Sequence, residues 1–125
     1  MDLEQFREYC LSKVAATESM PFGEGVLVFK VAAKIFALAT LDEIPATVNL
    51  KCDPDLALAL RDRYEQVQPG YHMNKKHWNT VEIDSGIPDA ELRKMIGHSY
   101  ELVVEGLPKK TREKLRRSRR MQDLA

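Results

Sequence analysis

The side chains best equipped for chemistry crowd one stretch, PGYHMNKKHWNTVEI, Pro69 to Ile83. It holds Tyr71, His72, Asn74, Lys75, Lys76, His77 and the chain's single tryptophan, Trp78. Nucleophilic catalysis requires a nucleophile, a base within hydrogen-bond reach and a third group to orient the base. Cys52 beside a histidine is the one conceivable pair. However, Cys52 continues the inward face set by Val48 and Leu50, and Cys10 lies on an apolar helical stripe, so both thiols read as packing. His72 and His77 are spaced neither as a helical i,i+4 pair nor as a Cys/His zinc pattern, so no metal is expected. GEG at 23–25 lacks the Gly-Lys-Ser/Thr ending of a phosphate loop and precedes a strand. No convergent carboxylate pair stands out. The expectation is a protein without catalytic residues or cofactor.

Binding is the chemistry that remains. In HWNTVEI, alternation puts His77, Asn79, Val81 and Ile83 on one side and Trp78, Thr80 and Glu82 on the other. Val81 and Ile83 should face the helices. Trp78 then shares the opposite face with Thr47, Asn49 and Lys51, if the strands share a sheet. A bare face of that kind could stack a base and meet phosphate. The bland reading is cross-strand packing of Trp78 against Tyr71 or the side chains of the first strand. Lys75 and Lys76 at the tip could grip phosphate, or simply keep the loop soluble.

A second signal is the C-terminal KKTREKLRRSRR. Residues 108–125 carry eight basic and two acidic residues, which leaves eleven basic and seventeen acidic in the rest. A net charge of zero therefore hides an acidic body and a basic tail. Lysine and arginine at phosphates release counterions and bind with little sequence preference. The candidate nucleic-acid set is thus Lys51, Tyr71, His72, Asn74, Lys75, Lys76, His77 and Trp78, with Lys109, Lys110, Arg112, Arg116 and Arg117 from the tail. The tail could equally dock on its own acidic body or on a neighbouring copy's.

The elements that position these residues follow from periodicity. At 125 residues, 44% hydrophobic and 30% charged, the chain suits one soluble domain with a real core. No apolar run approaches the ~18–20 residues of a membrane span. The N-terminus resembles no signal or transit peptide, and two cysteines make no disulfide framework, so the cytoplasm is expected. Asp2 caps a first helix with Leu3, Phe6, Cys10 and Val14 at helical spacing. ESMPFGEG breaks it. VLVFKV and KIFALATL form a hairpin at Ala32-Ala33, a pair poorly suited to a two-residue primed turn, so a longer loop is expected. PATVNLKC is a third strand. Asp53 and Pro54 start a second helix with Leu56, Leu60 and Tyr64 as its buried stripe. VQPGYHM and HWNTVEI are two further strands, joined through Asn74-Lys75-Lys76. A long helix then buries Leu92, Ile96, Tyr100 and Val103 and ends near Gly106 and Pro108. The tail has too few apolar residues to pack firmly. The result is an α+β domain of two layers over residues 1–107, with a mostly antiparallel five-stranded sheet and helices on one face. The order is α-β-β-β-α-β-β-α, and the basic, possibly helical tail spans 108–125.

PFGEGVLVFKV, NLKCDPDLALALRDRY, PGYHMNKKHWNTV and HSYELVVEGLPKK resemble the MmcQ/YjbR family of small bacterial proteins from Met1 to about Lys110. The resemblance implies a CyaY-like fold, similar to secretion chaperones. Family members are commonly labelled DNA-binding, and no reaction is implied. Two features depart from the family: Ala32-Ala33 where glycine is frequent, and the Arg-rich end beyond Lys110. The alternatives to a nucleic-acid partner are a protein partner or homodimer held on the open sheet face or edge, and a small ligand beneath PFGEG and Trp78. No membrane partner is expected.

Overall fold

The computed structural model describes residues 1–124. Helix α1 (Leu3–Leu11) opens on a capping box. Asp2 accepts the Gln5 N–H at 2.8 Å, and the Gln5 side chain accepts the Asp2 N–H at 3.0 Å. Phe6 and Cys10 are buried as the spacing predicts, while Val14 lies beyond the helix end. A short strand β1 (Thr17–Ser19) then pairs antiparallel with β2 (Val26–Val31). The sheet therefore has six strands where the sequence suggested five. No alternation announces β1; a bidentate contact ties it down, with Arg7 Nε and Nη2 donating to the two Glu18 carboxylate oxygens at 2.7 and 2.6 Å. That contact also holds the Glu18 carboxyl below its ordinary range.

Strand β3 (Lys34–Thr40) follows β2 through two residues only, because Val31 pairs with Lys34. The longer loop expected from Ala32-Ala33 is not formed. Both alanines adopt positive φ, 47° and 66°, the conformation a primed hairpin turn demands and a Cβ resists. Ala33→Gly should therefore stabilise the fold. Relief of about 1–2 kcal/mol outweighs the extra unfolded-state entropy of glycine, about 0.5–1 kcal/mol. A higher urea midpoint at unchanged m is the expected reading. A lower midpoint would mean that the turn does not hold this conformation in solution.

Strand β4 (Thr47–Lys51) leads into α2 (Pro54–Arg63), capped by the Asp53 carboxylate on the Leu56 N–H. Strands β5 (Val67–Pro69) and β6 (Trp78–Glu82) complete an antiparallel sheet in the order β1-β2-β3-β4-β6-β5. β5 ends at Pro69, so Gly70–His77 is a loop and not an extension of the hairpin. Helices α3 (Asp89–Glu105) and α4 (Lys109–Asp123) close the chain.

The core lies between the sheet's inner face and the helices. Val48, Leu50 and Val81 alternate inward against Leu92, Ile96, Tyr100 and Val103 of α3. A bulge in β3 lets successive residues Phe36 and Ala37 both face the core. An aromatic column crosses it. Phe6 packs edge-on to Phe29 at 5.8 Å, Phe29 lies 6.5 Å from Phe36, and Phe36 meets Tyr100 at 5.3 Å. Such pairs contribute about 0.5–1.5 kcal/mol beyond the area they bury. Tyr100 donates to the Val14 carbonyl at 2.7 Å, which fixes the exit of α1 on α3.

The tail is a helix docked on its own domain. Thr111, Leu115 and Arg119 follow Leu107 at four-residue spacing and form its inward stripe; Leu107 and Leu115 are buried. Arg119 donates to Glu101 at 2.5 Å and lies 5.1 Å over the Tyr100 ring.

Candidate nucleic-acid interface

Docking α4 by that stripe turns the rest of its circumference to solvent. Lys109, Lys110, Lys114, Arg116, Arg117 and Arg120 are exposed there, with Glu113 the acid among them. Arg116, Arg117, Arg120 and Glu113 line a shallow surface depression. Among the described residues, none of these six cations forms an ion pair. Arg112 is placed differently. It is half-buried and donates to the Glu105 carbonyl at 3.3 Å, so it helps to finish α3 instead of joining the solvent face.

The 70–77 loop rests on other supports. Gly70 lets the chain pass close to Trp78: a Cβ at Gly70 would meet the Trp78 Cβ at 2.8 Å. The Gly70 N–H donates to the Trp78 carbonyl at 2.9 Å, and the Tyr71 N–H to Thr80 Oγ1 at 2.9 Å. From α2, the Arg61 guanidinium reaches the Lys75 and Trp78 carbonyls. Tyr71, His72, Asn74 and Lys76 are exposed, with the Tyr71 and His72 rings 4.0 Å apart. The Lys75 ammonium bends back to the Gly70 carbonyl at 3.2 Å, so it does not project freely. His77 and Trp78 are half-buried. Lys51 pairs in register with Trp78, which places the loop residues and Lys51 on one end of β4 and β6. On α4 itself, Arg119 lies beside α3 and the exit of α1, where it shares a surface hollow with Ser12, Lys13 and Tyr100, while Arg116, Arg117 and Arg120 line a separate depression.

The outward face of the sheet is less open than alternation suggested. Val28 and Leu38 pair on that face, yet Val28 is fully buried and Leu38 is 8% exposed. The polar pair beside them is already engaged, Thr80 Oγ1 donating to Asn49 Oδ1 at 2.5 Å.

Sequence reasoning missed a cavity on the inner face. Of α2, only Ala57 is fully buried, and Leu56 is 40% exposed, against the predicted stripe Leu56, Leu60 and Tyr64. The helix is turned to point Ala57 and Arg61 at the sheet, with Arg61 Nε donating to Asn79 Oδ1 at 2.8 Å. Alanine is too small to close the space, and a cavity of about 210 Å³ remains between α2, α3 and the sheet. Leu50, Leu56, Leu60, Val81 and Met95 make its apolar wall. The lining includes neither PFGEG nor Trp78, beneath which the alternative small-ligand reading placed its site. An amide on the inward face of a strand, here Asn79 preceding Val81 and Ile83 in the alternation, was the one trace of it in the sequence. Cys52 also lines this cavity. Burial, then the Asp53 charge, pushes its thiol up to about 11, so it stays protonated and un-nucleophilic at neutral pH. Among the described residues no three His, Cys, Asp or Glu side chains form a group that could hold a metal, and no helix is long and apolar enough to cross a membrane.

Comparison with known proteins gives a consistent set. The family model YjbR matches residues 11–102. The uncharacterized protein YbdF of Escherichia coli O157:H7 is 44% identical over 97 residues, 77% of this chain and 79% of its own. The uncharacterized protein YjbR of Escherichia coli K12 is 33% identical over 115 residues, 92% of this chain and 98% of its own. The crystal structure of Deinococcus radiodurans protein DR2400, with family-model domain DUF419, superposes with a TM-score of 0.86 at 34% identity. It covers 91% of this chain and 87% of that one. The loop and the cavity fall inside the matched segment; α4 lies beyond it.

Proposed function

Since the chain belongs to the YjbR family, whose relatives above are described only as uncharacterized, we propose from its own geometry that it is a non-enzymatic, cytoplasmic nucleic-acid-binding protein whose principal contact is the solvent face of α4. The observation that carries this reading is the row of six exposed cations between Lys109 and Arg120, none in an ion pair among the described residues, on a helix docked through Leu115 and Arg119. Eleven residue steps at 1.5 Å make a row about 17 Å long, and each strand of duplex DNA presents a phosphate about every 3.4 Å of axis. Laid along a backbone, the helix meets several phosphates at once. The acidic body supports the reading in its own way. Its net negative charge, set against the positive tail, favours encounters in which α4 leads. Lys76, Tyr71 and His72 on the exposed loop make a second, weaker contact zone.

Fluorescence anisotropy of the full chain with a labelled duplex and a labelled single strand tests this. At about 50 mM salt both should bind, with little preference for sequence, and both should weaken by orders of magnitude toward about 200 mM. Absence of binding to either probe at the lower salt would overturn the proposal.

A further inference from the structure

The cavity between α2 and α3 has the composition of a ligand site, and Asn79 in its wall has only one end of its amide engaged by the protein. Asn79 is 2% exposed. Its amide is oriented without ambiguity, because Arg61 Nε is purely a donor and takes the oxygen, Oδ1, at 2.8 Å. The amide nitrogen therefore points away from Arg61. Asn79 lines the cavity, and among the described residues its Nδ2 makes no hydrogen bond. The nitrogen is not a sealed orphan, since Arg112 Nε is the buried side-chain atom without a partner among the described residues; it is a donor left open on the side of the cavity, free to meet an acceptor that enters there. The Arg61 charge on the far side polarises the amide and makes Nδ2 a stronger donor toward an anion.

The rest of the lining defines what would satisfy it. Leu56, Leu60, Val81 and Met95 suit an apolar body. An enclosed apolar cavity of about 150 Å³ holds benzene. The present one, about 210 Å³, has room for one ring or branched chain with a small substituent. The charged lining residues are Lys51 and Lys94 against Glu91. Lys94 is only loosely engaged, with Nζ 3.5 Å from Glu91 Oε1. His98 is engaged by the backbone, its Nε2 accepting the Asp53 N–H at 3.1 Å.

We propose that this cavity binds a compact apolar carboxylate, aromatic or branched aliphatic, one of whose carboxylate oxygens accepts from Asn79 Nδ2 while its hydrocarbon part fills the space between Leu56, Leu60 and Val81. The site is separate from the α4 face and does not depend on nucleic-acid binding.

Benzoate, with benzamide as its neutral counterpart, is the probe. Titrated into the full-length ¹⁵N- and methyl-labelled protein, benzoate should shift the Asn79 side-chain amide pair and the Val81 and Met95 methyls saturably. Benzamide should bind several-fold more weakly. Asn79→Leu should weaken benzoate about tenfold or more through loss of a charge-assisted hydrogen bond. That variant also frees Arg61, so Leu56→Trp at a partly exposed position provides the independent arm. It should fill the cavity and abolish the shifts while the fold is kept. The proposal is overturned if benzoate shifts only α4 arginine resonances or none. Equal affinity for benzamide, or wild-type affinity in Leu56→Trp, would overturn it too.

Discussion

Tyr100→Ala should cost the fold about 3–5 kcal/mol, the range for removing a large buried aromatic side chain. The side chain is 1% exposed and has three separate partners. Its ring closes the aromatic column against Phe36 at 5.3 Å, its hydroxyl holds the Val14 carbonyl at the exit of α1, and its face carries the Arg119 guanidinium of α4. Truncation leaves a cavity that neighbouring side chains on β3 and α3 cannot fill and leaves a part-buried carbonyl without its donor. Domains of this size have about 5–15 kcal/mol in total, so the variant should unfold at far lower urea. Tyr100→Phe separates the contributions. It keeps the ring and loses the hydroxyl's bond to Val14 and its contact with the Arg119 side chain, for about 1–2 kcal/mol. In Tyr100→Ala, α4 amides should also exchange faster than the sheet, because Arg119 loses its platform. A loss below about 1 kcal/mol in the alanine variant would mean that the column does not tie the helices to the sheet.

The second large effect concerns binding. Reversing Arg116, Arg117 and Arg120 to glutamate should weaken duplex affinity about a hundredfold or more at low salt, because three phosphate contacts become repulsions. All three side chains are exposed and away from Leu115, so the stability read from urea unfolding should change by no more than about 0.5 kcal/mol. Lys75→Glu with Lys76→Glu should weaken binding far less. The Lys75 ammonium is bent onto the Gly70 carbonyl, and one free cation remains at the tip. If the loop pair proved more damaging than the helix triple, the principal contact would move to the 70–77 loop.

How much of this was legible in the sequence varies by element, for physical reasons. Asp53-Pro54 announced α2 because capping and a missing N–H are local chemistry. Val48, Leu50 and Val81 declared the inner face because alternation directly records burial. β1 stayed hidden: three residues of edge strand, held by the Arg7–Glu18 contact, leave no period to read. Ala32-Ala33 argued against a tight turn, and the pairing of Val31 with Lys34 imposes one regardless. The rotation of α2 was out of reach as well. Leu56 and Leu60 look like a core stripe until Arg61 finds Asn79, a tertiary contact that turns the helix and opens the cavity. In α4 the charge was plain from composition. Its docking was not, because a stripe with only Leu107 and Leu115 as apolar members is weak until Tyr100 and Glu101 receive Arg119.

The most direct test of the account is the salt dependence of duplex binding by the full chain and by the Arg116, Arg117 and Arg120 charge-reversal variant. Each phosphate contact contributes about 0.9 to the slope of log affinity against log salt. The wild-type slope should exceed that of the variant by about 2–3. Equal slopes in the two proteins would contradict the assignment of α4 as the nucleic-acid face.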